Sequence, residues 1–184
     1  MKHSRSLALV WQIADIEARN LKAPAIECMH LLIGLCKVVD LDLVGLVSKE
    51  VDPDKILEEL LREIRRLRTV FRAAGLDARM LRRHLRRVYP EQRLGLDRSK
   101  RLHRSSEAKR IFANAEQFGQ LGSGKAYPVH LLYATLLADD ENRDVVLNKL
   151  KINKERLLTL VKKQVFKPQI GSASSSKRRR ARWN

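Results

Sequence analysis

Two stretches of this chain, LKAPAIECMHLL (Leu21 to Leu32) and LGSGKAYPVHLL (Leu121 to Leu132), have equal length, open on Leu and close on His-Leu-Leu. An amphipathic helical pattern precedes each one. In the first half it runs through Leu7, Val10, Trp11, Ala14, Ala18 and Leu21; in the second, through Ala108, Ile111, Phe112, Ala115 and Phe118. The same order of elements then follows each stretch: a compact apolar helix (CMHLLIGLCKVV; PVHLLYATLLAD), a short helix (LDLVGLVSK; ENRDVVLNKL) and a further helix. The last helices are introduced by related turns, VDPDKIL (Val51 to Leu57) and INKERLL (Ile152 to Leu158). Asp52 and Asn153 are their expected N-caps, Pro53 and Pro128 sit in first turns, and Ser4 or Ser6 caps the first helix. A duplicated four-helix unit explains spacing and order together.

Composition agrees with a helical chain. Hydrophobic residues make up 44% of the sequence and aromatics only 5%, with few Gly and Pro, which disfavours a β-rich fold. At 184 residues the chain can bury a real core in one domain or two small packed units. Its formal charge of +17 favours acidic partners such as nucleic acid, acidic protein surfaces or anionic lipid, without choosing among them. Cys28 and Cys36 on one helix would be separated by about 12 Å of rise. That is beyond disulfide reach and suits a reducing cytoplasm. Asp15 and Glu17 interrupt the N-terminal apolar stretch, so no signal peptide is expected, and no apolar run is long enough for a membrane span.

Four regions are expected: repeat one over residues 1–70, a basic inter-repeat segment over 71–103, repeat two over 104–165, and a Ser-rich then basic tail or linker over 166–184, read as disordered. The inter-repeat segment contains one expected helix from Asp77 to about Val88. Leu81, Leu85 and Val88 form its thin apolar edge, Arg82, Arg83, Arg86 and Arg87 cover the rest, and Pro90 stops it.

ADIEARNLKAPAIECMHLLIGLC and AKRIFANAEQFGQLGSGKAYPVHLLYATLL, each followed by its helix pair, resemble the N-terminal domain of the Clp family of AAA+ unfoldases. The resemblance covers about residues 4–70 and 104–165. It implies an all-α fold of two pseudo-symmetric four-helix repeats packed into one globular domain. In the family this domain sits on a hexameric ATPase ring, has no catalytic activity of its own, and delivers adaptors and unfolded or tagged substrates to the ring. Many members carry Thr-Glu before the motif His, and those that read phosphorylated arginine use that Glu to hold the guanidinium. This chain has Cys28-Met29 and Pro128-Val129 there, with no carboxylate in either repeat. Phosphoarginine recognition is therefore not expected, and the two edges should be more apolar.

The expected function is that of a non-catalytic protein-interaction domain of the cytoplasm, partnered with an AAA+ ring in cis or in trans. Contact is expected at the paired loop–helix edges: Ala25, Ile26, Met29 and His30 in repeat one; Ala126, Tyr127, Val129 and His130 in repeat two. Exposed apolar edges there would suit unfolded segments. His30 and His130 hold equivalent places and are read as packing or capping residues. No spaced Cys/His metal pattern and no nucleophile motif occurs, so neither metal nor cofactor is expected. The stretch GQLGSGKA imitates a phosphate-binding loop. However, it follows an amphipathic helix rather than a strand and carries Ala126 where a Mg²⁺-binding hydroxyl belongs. It is read as an inter-helix loop with Gly122 or Gly124 at positive φ. No ATPase module is present in these 184 residues, so the chain is expected to be either a fragment cut before the ring, which the Ser-rich end favours as a linker, or a stand-alone protein acting beside one, with any ATP site beyond residue 184. The alternative reading is a small basic nucleic-acid-binding protein using residues 62–104, with Gly75 in a helix–turn–helix and Arg82, Arg83, Arg86 and Arg87 facing phosphates.

Overall fold

The computed structural model describes residues 2–88, 102–122 and 124–166. Nine helices occur among them: α1 (Arg5–Asn20), α2 (Cys28–Asp40), α3 (Leu43–Val47), α4 (Pro53–Ala74), α5 (Ala78–Val88), α6 (Ser106–Gly122), α7 (Pro128–Leu137), α8 (Glu141–Lys149) and α9 (Lys154–Val165). Two two-residue strands, β1 (Lys2–His3) and β2 (Lys125–Ala126), complete the set. The chain is all-α in architecture: α1–α4 form one repeat, α6–α9 the other, and α5 lies between them in sequence.

The helices start at the caps their sequences provide. Ser4, rather than Ser6, caps α1, accepting from the Leu7 N–H at 3.2 Å. Its counterpart Ser105 accepts from the Ala108 N–H at 3.1 Å. Asp52 and Asn153 do the same for α4 and α9 at 3.4 and 2.8 Å. Asp42 and Asp140 start α3 and α8. Each side-chain oxygen satisfies a backbone donor that the first helical turn leaves open. Ser6 plays a different part, being buried with its hydroxyl donating to Glu63 of α4. Gly75 ends α4 in the left-handed region at φ 66°, and Asp77 then accepts from the Arg79 and Met80 N–H groups to start α5.

The caps reveal the register of the duplication. Ser105 lies 101 positions after Ser4, and the buried face of α6 (Ala108, Ile111, Ala115, Gly119) repeats that of α1 (Leu7, Val10, Ala14, Ala18) at the same offset. By the second helices the offset is 100, His30 matching His130. The α6–α7 connection is therefore one residue shorter than the α1–α2 connection, a correction to the equal loop length read from the sequence. The shorter route brings the chain close to α6. A Cβ on Gly119 would lie 2.5 Å from the Lys125 carbonyl oxygen, which only glycine avoids.

In both repeats the second helix packs on the first: α1 on α2, and α6 on α7. The two repeats join through α2 against α7 and α4 against α9. A second device ties them. β1, leading into α1, pairs in parallel with β2 in the other repeat's loop, and the Ser4 N–H donates to the Ala126 carbonyl at 3.0 Å. Reciprocally, the residues leading into α6 pair with the first repeat's loop. There the Ile26 N–H donates to the His103 carbonyl at 2.9 Å, and the Ser105 N–H to the Ile26 carbonyl at 3.0 Å. Each repeat thus lays its entry segment on the other's loop.

Candidate functional site

The two loop–helix edges are built alike. His30 and His130 sit at the third position of α2 and α7, where each Nδ1 accepts from the backbone N–H of the N-cap residue: Glu27 at 3.0 Å and Tyr127 at 3.1 Å. This is the reach-back half of a capping box, with imidazole in place of the usual Glu or Gln. Nδ1 accepting leaves the proton on Nε2. Burial lowers both histidines to about 4, against a weaker upward pull from Glu17 on His30. Both are therefore neutral at physiological pH.

The expectation that these edges present exposed apolar side chains is not met. Ile26, Met29 and His30 are buried, as are Ala126, Val129 and His130; only Ala25 and Tyr127 are half-exposed. The cause is the reciprocal strand pairing, which draws Ile26 and Ala126 into the junction between repeats while Met29 and Val129 face the core. The glycine-rich stretch belongs to the same junction. Gly119 closes on the strand, Gly124 supplies the left-handed turn at φ 72°, and Lys125–Ala126 form β2. Ser123 lies outside the described residues.

Arg82, Arg83, Arg86 and Arg87, the four arginines of α5 expected to face phosphates, divide into two pairs. Arg86 donates to Glu17 Oε2 from Nε at 3.0 Å and Nη2 at 2.7 Å, while Lys37 of α2 reaches Glu17 Oε1 at 2.5 Å. Burial pushes the Glu17 carboxyl up, but the hydrogen bonds from Lys37 and Arg86 outweigh it and hold the group below its ordinary value. Arg82 meets Asp40, at the end of α2, at 3.2 Å. Arg83 and Arg87 point outward and are exposed. Half of the arginine set is thus committed to holding α5 on repeat one, its Leu81 and Leu85 edge buried beneath. The remainder of the basic segment, residues 89–101, lies outside the described residues, as does the tail from residue 167.

An open groove of about 850 Å³ runs along the outer face of α1 and the segment leading into α6. Its floor is made by duplication. Trp11 and Phe112, equivalent at the 101 offset, meet edge to face at 5.4 Å between ring centroids. The Arg104 guanidinium lies over both rings, 5.4 Å from Trp11 and 5.3 Å from Phe112. His3, equivalent to Arg104, flanks Phe112 and hydrogen-bonds Glu116 at 2.6 Å. Ile16, 52% exposed, and the half-buried Leu102 line the groove. Sequence reasoning placed Trp11 and Phe112 in the core stripes and missed this site. The available signal was a pair of aromatics at equivalent positions of the two copies.

Both cysteines are free and buried, and burial pushes their thiols up, away from thiolate chemistry. Among the described residues, no group of three or more His, Cys, Asp or Glu side chains could hold a metal, and no helix is long and apolar enough to cross a membrane.

The architecture is that of an all-α double-repeat domain, and solved structures share it over nearly its whole length. A chain from a malarial protein secretion system superposes with a TM-score of 0.62 at 18% identity, covering 90% of this chain and 95% of that one. The Hsp104 N-terminal domain from Candida albicans gives 0.58 at 14% identity, covering 88% and 89%. The N-terminal domain of the caseinolytic-protease-associated chaperone ClpD from Arabidopsis thaliana gives 0.56 at 16% identity, covering 89% and 94%. No family model and no curated protein sequence matches the chain. The chain has the Clp N-terminal domain fold.

Proposed function

We propose that this chain is a non-catalytic protein-interaction domain that recruits substrates or adaptors to a Clp-type AAA+ unfoldase, in cis or in trans. The groove between α1 and the entry to α6 carries the reading. It offers the half-buried Trp11 and Leu102 and the exposed Ile16 as apolar surface, with Phe112 buried behind Trp11, the Arg104 guanidinium lying over both rings and the Asp15–Arg19 pair alongside. An extended, unfolded segment lying there would remove apolar area from water at about 25 cal/mol per Å² and leave its polar groups at the wet edge. The fold shared with N-terminal domains of Hsp104 and ClpD supports the same reading. The sequence-predicted edges would contribute only through Ala25 and Tyr127, since their other members are buried.

The test is fluorescence anisotropy of a labelled, permanently unfolded casein-like chain. It should bind the domain, and Ile16→Asp should weaken binding about tenfold, equivalent to about 1.4 kcal/mol. Circular dichroism should show the fold intact, because Ile16 is half out of the protein. Equal affinity of the folded variant would remove the groove from the mechanism.

A further inference from the structure

The pseudo-twofold relation between the repeats is broken on one face. In repeat one, α5 covers α2, its Leu81 and Leu85 are buried, and its Arg86 and Arg82 are held by Glu17 and Asp40. The equivalent face of repeat two has no such helix among the described residues, and its chemistry has changed to match. Glu17 is replaced by Phe118 at the 101 offset, and Ile33 and Lys37 by Tyr133 and Leu137 at the 100 offset. Phe118, Tyr133 and Phe166 form an aromatic cluster with centroid separations of 5.0 Å, 6.5 Å and 6.1 Å. Phe166 is 49% exposed and Leu137 48%, and Leu121, one turn beyond Phe118, is 72% exposed. A closed ionic lock in one repeat has become an open aromatic and aliphatic surface in the other.

The charge around this surface selects its occupant. Lys162 and Lys163, on the last turn of α9 beside Phe166, are exposed and unpaired among the described residues. Helix α7 carries no charged side chain; Asp139 lies just past its end, and Glu116 of α6 is engaged by His3. The chain's own segment 167–184 holds Lys167, Lys177, Arg178, Arg179, Arg180 and Arg182 with no acid, so it does not complement a lysine rim. From this we infer that the Phe118–Tyr133–Phe166 surface docks an amphipathic helix of a partner protein, placed as α5 is on repeat one, with an apolar edge and acidic flanks. The lysines would steer and orient that helix, and the aromatic cluster would bury its edge.

The experiment uses the full chain and two fluorescein-labelled synthetic helices with the same leucine edge, one flanked by Glu and the other by Lys. Anisotropy should show the Glu helix binding, more weakly as salt rises, and the Lys helix at least about tenfold weaker, since charge sets the partner. Leu137→Lys, which installs the residue of repeat one at a half-exposed site, should weaken the Glu helix about tenfold while circular dichroism stays unchanged. Ile16→Asp should leave that binding intact, which separates this surface from the groove of α1. Equal binding of both helices, or no effect of Leu137→Lys, overturns the inference. So does a dimer in sedimentation that Leu137→Lys dissociates, which would make a second copy the occupant. Faster tryptic cleavage within 177–182 in that variant would overturn it in favour of the chain's own C-terminal segment.

Discussion

Repeat one and repeat two share a backbone plan and differ in how they finish the same face. Around α2, a buried carboxylate is held by two cations from different helices, and α5 closes over it. Around α7, the corresponding positions carry rings and leucine at the surface. A buried ion network holds geometry but depends on every member, because removing one partner leaves the others with their desolvation uncompensated. An aromatic cluster at the surface tolerates loss better, and gains most when something else covers it. The duplicated unit thus has one face made for internal cohesion and another left for contact.

The two faces differ most at Glu17. Replacing it with Ala should lower stability by about 3 kcal/mol, the low end for a broken buried pair, since Lys37 and Arg86 are each about a third exposed and can rehydrate. The equivalent Phe118→Ala should cost only about 1–2 kcal/mol, because that ring is partly solvated already. Urea denaturation of both variants decides it; equal losses would mean that the two faces do the same structural work.

A smaller contrast lies in the connections. Gly119→Ala forces its Cβ onto the Lys125 carbonyl and should cost about 2 kcal/mol. Ala18→Gly, at the equivalent place in the longer loop's repeat, should cost about 1 kcal/mol from helix propensity alone. Thermal melts that rank them the other way would show that the shorter loop relaxes freely.

The finest contrast is between the capping histidines. Each has a folded-state pKa of about 4 against an ordinary 6.5, so the unfolded chain binds protons more readily than the folded one. Their contribution is complete above pH 6.5, falls as pH drops from 6.5 towards 4, and levels off below. Glutamine at either position keeps a capping acceptor while removing one titration, so each variant should flatten that slope. At neutral pH they should differ. The Val165 backbone pulls the His130 pKa upward against its burial, so it favours a proton on that ring, whereas His30 Nε2 is buried without a partner. His130→Gln should therefore be the more costly by about 1 kcal/mol, read from urea midpoints.

Most of the fold was legible in the sequence. The helices, the caps at Asp52 and Asn153, the duplication and the extra helix from Asp77 all rest on signals within a few residues of one another. The site was less legible. The edges at Ala25–His30 and Ala126–His130 read as exposed because their motifs lead a helix out of a loop, and nothing local shows that another segment lies on top. Phe112 is in the core as its stripe predicts, but Trp11, read the same way, is only partly buried: periodicity names the apolar face but not where two such faces meet at the surface. Arg82 and Arg86 looked like Arg83 and Arg87 until the positions of Asp40 and Glu17 were known.

The sequence by itself determined which segments are helical, where they begin and that the unit occurs twice, because hydrophobic period and capping are short-range properties. Only the tertiary structure decided that each repeat's entry segment crosses to the other's loop and covers Ile26 and Ala126, while Met29, His30, Val129 and His130 are buried beneath. It alone decided that Glu17 gathers Lys37 and Arg86, and that paired aromatics form the floor of a groove. Those outcomes depend on groups tens of residues apart arriving at one place, and pairing at that range is set by the packing of the whole chain rather than by any local pattern.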